Sequence, residues 1–155
     1  LTRIEEGQQT LELQDVNLKL LCEDLYEMAE AMAESNEQTL SLTTADDMLM
    51  TGDKHLLFQA LFNLIDNAIK YAGVGAQIEI VQLGREIQIR DNGPGIPDEE
   101  KGRVFDRLVR LDPSRHNQGT GLGLSLVKAI FARHNAKVVL MDNTPGLIVS
   151  VTFRD

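Results

Sequence analysis

Three short segments carry residue types and spacings able to do chemistry. Asn63, Asn67, Lys70 and Tyr71 stand at i, i+4, i+7 and i+8, so on a helix they share one face. Asn is a poor residue inside a helix, because its side chain competes for backbone hydrogen bonds. Two of them one turn apart point to something bound on that face. An Asn carbonyl is a neutral oxygen ligand that suits Mg²⁺ already carrying phosphates and waters, and Lys70 adds positive charge for a phosphate. The alternative is a solvated polar face. The second segment is Asp91-Asn92-Gly93-Pro94-Gly95. Its glycines allow close backbone approach, and Asp91 offers a carboxylate able to accept from an exocyclic amine such as that of adenine. A plain turn uses the same residue types. The third runs from Gly119 through Gly121 and Gly123 to Leu124. Glycines at a helix entry expose N–H groups to an anion, assisted by the helix dipole. The spacing does not fit a dinucleotide fingerprint, and no Gly-Lys-Ser/Thr marks a Walker loop. A helix entry merely softened by glycine is the bland alternative.

The elements that must position these segments are legible from periodicity. Leu11 and Leu13 alternate within Thr10–Asp15, which predicts a short strand. Asn17 is an N-cap candidate for a helix with Leu18, Leu21, Cys22, Leu25, Met28, Ala29 and Met32 at a 3.6 period. Leu40 and Leu42, then Met48 and Met50, predict two short strands joined by a turn. After Gly52-Asp53 a long helix runs to about Ala72, its buried stripe being Leu57, Leu61, Leu64, Ile65 and Ala68. Ile78, Ile80 and Leu83 form one strand face, Gly84-Arg85 turns, and Ile87 and Ile89 complete a hairpin. Residues 105–119 show no period. A helix begins near Gly121 and ends about Asn135, and Val138–Met141 with Leu147–Phe153 close a last hairpin around Asn143–Gly146. Several hairpins without regular βαβ alternation predict an α+β fold. It should be a two-layer sandwich, with a mixed, mostly antiparallel sheet of about five strands and helices on one face.

Composition narrows the function classes. The 155 residues fit one domain. Fifteen Lys and Arg against twenty-four Asp and Glu leave a net charge of −9, which argues against a nucleic-acid partner yet permits a small polyanion in a local pocket. Cys22 is the only cysteine, so no internal disulfide forms and a reducing compartment fits. No apolar run approaches the ~18–20 residues that cross a bilayer, and no repeat is found. A chain opening on Leu1 rather than Met is expected to be part of a longer protein.

In order, Asn-x₃-Asn-x₂-Lys-Tyr on a helix, Asp-x-Gly-x-Gly after a strand and Gly-x-Gly-x-Gly-Leu into a helix are far more specific together than apart. The set resembles the ATP-binding catalytic domain of two-component sensor histidine kinases. These belong to the wider ATPase group of gyrase, the heat-shock chaperone and the mismatch-repair protein. The resemblance spans about Thr10–Phe153, and the domain is expected over residues 10–155. Asn63–Ala72 resembles the N box, Asp91–Gly95 the first glycine box, Phe105 the F box and Gly119–Leu124 the second glycine box. Leu1–Gln9 resembles the tail of a preceding dimerisation helix. The F box departs from the pattern, with Leu108 and Val109 where aromatics are usual.

The resemblance implies roles residue by residue. Asn67 ligates Mg²⁺ and Asn63 supports it one turn back. Lys70 contacts the phosphates, and Tyr71 flanks the adenine. Asp91 reads the adenine amine, while Gly93 and Gly95, with Ile96 after them, let the backbone approach the base. Gly119, Thr120, Gly121, Leu122, Gly123 and Leu124 shape the phosphate end. Residues between Phe105 and Gly119 form a lid whose Arg107 and Arg110 join Asn63 and Lys70 as candidate catalytic groups. Hydrolytic relatives carry a Glu one turn before the metal-binding Asn, where a carboxylate can take a proton from water. Here that residue is Asn63, whose amide cannot. This favours a kinase over an ATPase.

None of His55, His116 and His134 has the context of a phosphoacceptor, and all three read as surface histidines without a catalytic role. The acceptor is expected on an upstream dimerisation domain, with a response regulator receiving the phosphoryl group. The domain alone is expected to be a monomer, its parent a dimer, and the site cytoplasmic, whether or not the parent is anchored in a membrane. A nucleotide-responsive module without phosphotransfer, and an ATPase or serine kinase of the same fold, are the competing readings.

Overall fold

Two helices start where one polar side chain takes up N–H groups that the helix leaves without partners. Asn17 ends β1 (Gln14–Asn17), and its Oδ1 accepts from the N–H groups of Lys19 at 3.0 Å and Leu20 at 3.3 Å, opening α1 (Leu18–Ser35). Asp53 Oδ1 accepts from Leu56 N–H at 3.2 Å and opens α2 (Lys54–Ala72). The computed structural model describes residues 11–93 and 120–154, the side chains of 120–125 excepted. The expected helix tail at Leu1–Gln9 lies outside them. Among the described residues no helix is long and apolar enough to cross a membrane.

The remaining elements are β2 (Thr39–Thr44), β3 (Leu49–Gly52), β4 (Gln77–Leu83), β5 (Glu86–Asp91), α3 (Thr120–Arg133), β6 (Ala136–Asp142) and β7 (Leu147–Phe153). Five strands form one sheet in the order β2-β4-β5-β7-β6. β2 runs parallel to β4, and every other pair in that sheet is antiparallel. The α+β architecture with a mixed five-stranded sheet is therefore as expected. Ile80, Ile89 and Val149 lie in register across three strands, and Ile87 lies in register with Val151 across two. This face meets Leu21 and Leu25 of α1, Leu57, Leu61 and Ile65 of α2, and Val127 and Ile130 of α3 in one buried cluster. Full burial of each such side chain stabilises by roughly 1.5–3 kcal/mol, which is what holds the helices to one side.

The structure departs from the periodicity in four places. The first strand is Gln14–Asn17, not Thr10–Asp15, and Leu13 is 61% exposed. Val16 is the inward residue, paired with Met50. Successive strand residues face opposite sides, so a shift in the segment changes which residues enter the core. The expected turn between β2 and β3 joins strands of different sheets, because β3 pairs with β1 in a separate two-stranded sheet. Alternation reveals a buried face but not a partner strand. Met28 is 60% exposed, and Ala29 and Ala33 continue the buried stripe of α1 instead. Leu83 is exposed, and Gln82 takes the inward place with its amide satisfied by the Ala45 N–H, the Asp46 carbonyl and the Gly84 carbonyl. A buried polar group is tolerated when paired in this way.

Cys22 is fully buried on α1, and burial, with Glu23 nearby, pushes its thiol up to about 12. It is a core residue and not a reactive thiol.

Candidate functional site

α2 presents the four polar residues as the helical period requires, but in different surroundings. Asn67 is 8% exposed, and no hydrogen bond joins its amide to another described residue. Asn63 is half-buried, and its Nδ2 donates to the Gln59 carbonyl at 3.0 Å. That back-bond to the preceding turn orients the amide and leaves Oδ1 as the end unused within the described structure. Lys70 is exposed, and its Nζ lies 3.3 Å from Asp66 Oδ2 one turn earlier. A solvent-exposed pair of this spacing is worth only about 0.3–0.5 kcal/mol, so a phosphate can recruit the ammonium at little cost. Tyr71 is exposed at the last turn.

The end of α2 is held by a residue that sequence reading passes over. Gln38 is buried, and its Nε2 donates to the carbonyls of Ile69 and Gly73, each at 2.9 Å. These are carbonyls that a helix terminus leaves without partners. Nothing in the run Glu37-Gln38-Thr39 signals this, because the contact spans more than thirty residues.

Asp91 closes β5 beside that helix end. Its Oδ1 accepts from Gly93 N–H at 2.9 Å. Burial raises the carboxyl above the usual aspartate range, while hydrogen bonds from the Gly93 and Leu147 N–H groups pull it back. Asn92 is tied to the start of β4, its Oδ1 accepting from Gln77 N–H at 2.7 Å and its N–H donating to the Gln77 carbonyl at 3.2 Å. A Cβ on Gly93 would lie 2.7 Å from both the Cα and the carbonyl oxygen of Ala72. Only glycine lets this turn lie directly on the last turn of α2. The plain-turn reading does not account for that seating. The structure thus brings Asp91 and Gly93 to the helix end that carries Lys70 and Tyr71.

Thr120, Gly121, Leu122, Gly123 and Leu124 form the first turns of α3, which packs on α2. The helix starts one residue before its expected start. Gly95, Ile96, Phe105, Arg107, Arg110 and Gly119 lie outside the described residues. Among the described residues no group of three His, Cys, Asp or Glu side chains is placed to hold a metal. A concavity of about 400 Å³ lined by Asp15, Met50, Arg85 and Arg154 contains none of the site residues.

One histidine departs from expectation. His55 is exposed, but His134 is 7% exposed and ties α3 to α2. Its Nε2 accepts from Asp53 N–H at 3.1 Å, so the ring proton sits on Nδ1, 2.8 Å from the Ile130 carbonyl. The Asp53 carboxylate accepts in turn from Glu12 N–H at 3.0 Å. A histidine ending a helical pattern reads as surface because its partners lie far away in the chain.

Comparison with known proteins bears on the family and the fold. The family described as histidine kinase-, DNA gyrase B- and HSP90-like ATPase matches residues 52–155. The chain belongs to that family. The swarming motility regulation sensor protein RssA of Serratia marcescens is 34% identical over 140 residues, covering 83% of this chain and 30% of RssA. The adaptive-response sensory kinase SasA of Rippkaea orientalis is 33% identical over 137 residues, covering 84% of this chain and 35% of SasA. The catalytic domain of histidine kinase ThkA superposes with a TM-score of 0.73 at 26% identity, over 92% of this chain and 97% of that domain. Within the family, the chain is of the sensor histidine kinase catalytic-domain type. It spans about a third of the length of these curated relatives.

Proposed function

We propose that the chain binds ATP with Mg²⁺ and donates the γ-phosphoryl group to a histidine on a dimerisation domain of its parent protein. A response regulator is the next acceptor, and the site works in the cytoplasm. The observation that carries the reading is the seating of the Asp91–Gly93 turn on the end of α2 that bears Asn67, Lys70 and Tyr71. A base-reading carboxylate and a phosphate-side amide then belong to one site.

Asn67 suits the metal, being a neutral oxygen donor that is buried and uncommitted among the described residues. Mg²⁺, when bound, neutralises charge on the phosphates and so favours phosphoryl transfer. Lys70 adds a second positive charge by leaving its weak pair with Asp66. Asp91 accepts from the adenine amine, and Tyr71 flanks the ring. Asn63 cannot accept a proton from water, so the γ-phosphoryl group is kept for another acceptor. Gly119 to Leu124 frame the phosphate end, and Arg107 and Arg110 supply cations to it. Catalysis on this account is positioning and charge neutralisation.

Calorimetry of ATP binding with and without Mg²⁺ tests the assignment. Binding should need Mg²⁺ and should fall at least about tenfold, with its metal dependence, in Asn67→Ala; a tenfold change is about 1.4 kcal/mol. Unchanged affinity in Asn67→Ala removes that residue from the site.

A further inference from the structure

The turn between β6 and β7 reaches the end of β5, the sheet neighbour of β7, at Asp91. An Asn in a turn ordinarily bonds its own neighbouring backbone. Asn143 does otherwise. Its N–H closes the turn onto the Gly146 carbonyl at 3.1 Å, while its side-chain Nδ2 donates to the Asp91 carbonyl at 2.7 Å, across 52 residues of chain. Asn143 is half-buried, whereas Asp142, Thr144 and Pro145 around it are exposed. Gly146 completes the contact. At φ +117° its backbone is in a region that other residues rarely adopt, and a Cβ there would run into the Asp91 carbonyl oxygen and lie 2.8 Å from Asn92 Cα.

The place of this contact matters. Asp91 is the last residue of β5 in register with both neighbours, Ile78 on one side and Leu147 on the other. Beyond it the peptide between Asp91 and Asn92 is held from both sides: its N–H donates to the Gln77 carbonyl of β4 at 3.2 Å, and its carbonyl accepts from Asn143 Nδ2 at 2.7 Å. The direction of the Asp91 carboxylate follows from that peptide, and a hydrogen bond weakens steeply as its angle departs from linear. Among the described residues no hydrogen bond or ion pair joins Asn143 to Asn63, Asn67 or Lys70.

We infer that Asn143, through the Asp91 carbonyl, is a positioning residue that sets how strictly the site selects a base with an exocyclic amine. The inference rests on the proposed role of Asp91. Its test separates the two. ATP is compared with purine riboside triphosphate, which lacks the amine, by calorimetry with Mg²⁺ on the chain and on Asn143→Ala and Asn143→Asp. The second variant keeps a turn residue of the same size and loses the donor. In the unmodified chain ATP should bind more tightly than the analogue. In both variants that ratio should shrink by about five- to tenfold, the scale of one lost hydrogen bond, with analogue affinity unchanged. A preserved ratio overturns the inference. So does an equal loss for ATP and the analogue, or loss of the circular-dichroism fold signal in both variants, since each assigns Asn143 to stability alone. If the unmodified chain does not prefer ATP over the analogue, the reading of Asp91 fails before any variant is made, and the inference fails with it.

Discussion

Gly93→Ala is the most demanding perturbation of the site. The added Cβ would sit 2.7 Å from Ala72 Cα and 2.7 Å from its carbonyl oxygen, where ordinary contact begins at 3.4 Å. Both obstacles are backbone atoms of a packed helix, so relief has to come from the turn, which must retreat by roughly 0.7 Å. Overpacking of this kind costs about 1–3 kcal/mol. For a chain of this length each kcal/mol lowers Tm by roughly 2–4 °C, so a fall of about 4–8 °C is expected at the middle of that range. The same retreat stretches the 2.9 Å bond from Gly93 N–H to Asp91 Oδ1 by up to roughly 0.7 Å, and at that limit of about 3.6 Å it is no longer a hydrogen bond. Asp91 then loses one of the two groups holding its carboxyl down, and ATP affinity should drop by about tenfold or more, because small misplacements in a positioned site cost disproportionately. Thermal unfolding and calorimetry on the same preparation read both effects. Unchanged Tm together with unchanged ATP affinity in Gly93→Ala would refute the seating of the turn on α2.

Three further outcomes follow from contacts at the start of α2 and at Asp91. His134→Ala leaves the buried Asp53 N–H without its acceptor and should destabilise the chain by about 1–3 kcal/mol in urea unfolding; a change within about 0.5 kcal/mol would place this histidine among neutral surface residues. Asp91 has a raised folded-state value, so its burial favours the protonated form, and that contribution to stability is present in acid and lost as pH rises through the raised value. Asp91→Asn should therefore leave the free chain as stable or more stable at neutral pH, while Asp91→Ala, which has no acceptor, should remove the preference for ATP. In the unmodified chain, affinity for ATP, but not for the amine-free analogue, should weaken on acidification from above the ordinary aspartate range. A pH-independent preference would contradict an ionised Asp91 in base reading.

Much of the candidate site was legible because the pattern that suggests its chemistry is local. Asn63, Asn67, Lys70 and Tyr71 share a face by helical period alone, and Asp91 stands out as a carboxylate at a strand end before glycines. The cap residue Asn17 and the hairpins at Gly84 and Asn143–Gly146 follow from equally local preferences. What stayed hidden depends on contacts distant in sequence. Gln38 holds the end of α2, His134 holds its start, and Asn143 braces Asp91, and in none of these does the local pattern name the distant partner. The partner of β3 escaped for the same reason. Val16 and Met50 form a buried pair, but alternation alone cannot say which strands meet.

The central claim is that this chain keeps the γ-phosphoryl group for a histidine. It is tested most directly by incubation with γ-labelled ATP and Mg²⁺, alone and with the histidine-bearing helical domain of its parent supplied as a separate chain. Alone, the chain should stay unlabelled and hydrolyse ATP near background, because Asn63 cannot activate water. With the added domain, an acid-labile, base-stable label should appear on a histidine there, slowly, since a tether normally supplies high effective concentration. Rapid ATP turnover by the chain alone, or an acid-stable label on Ser or Thr of the added domain, would contradict it.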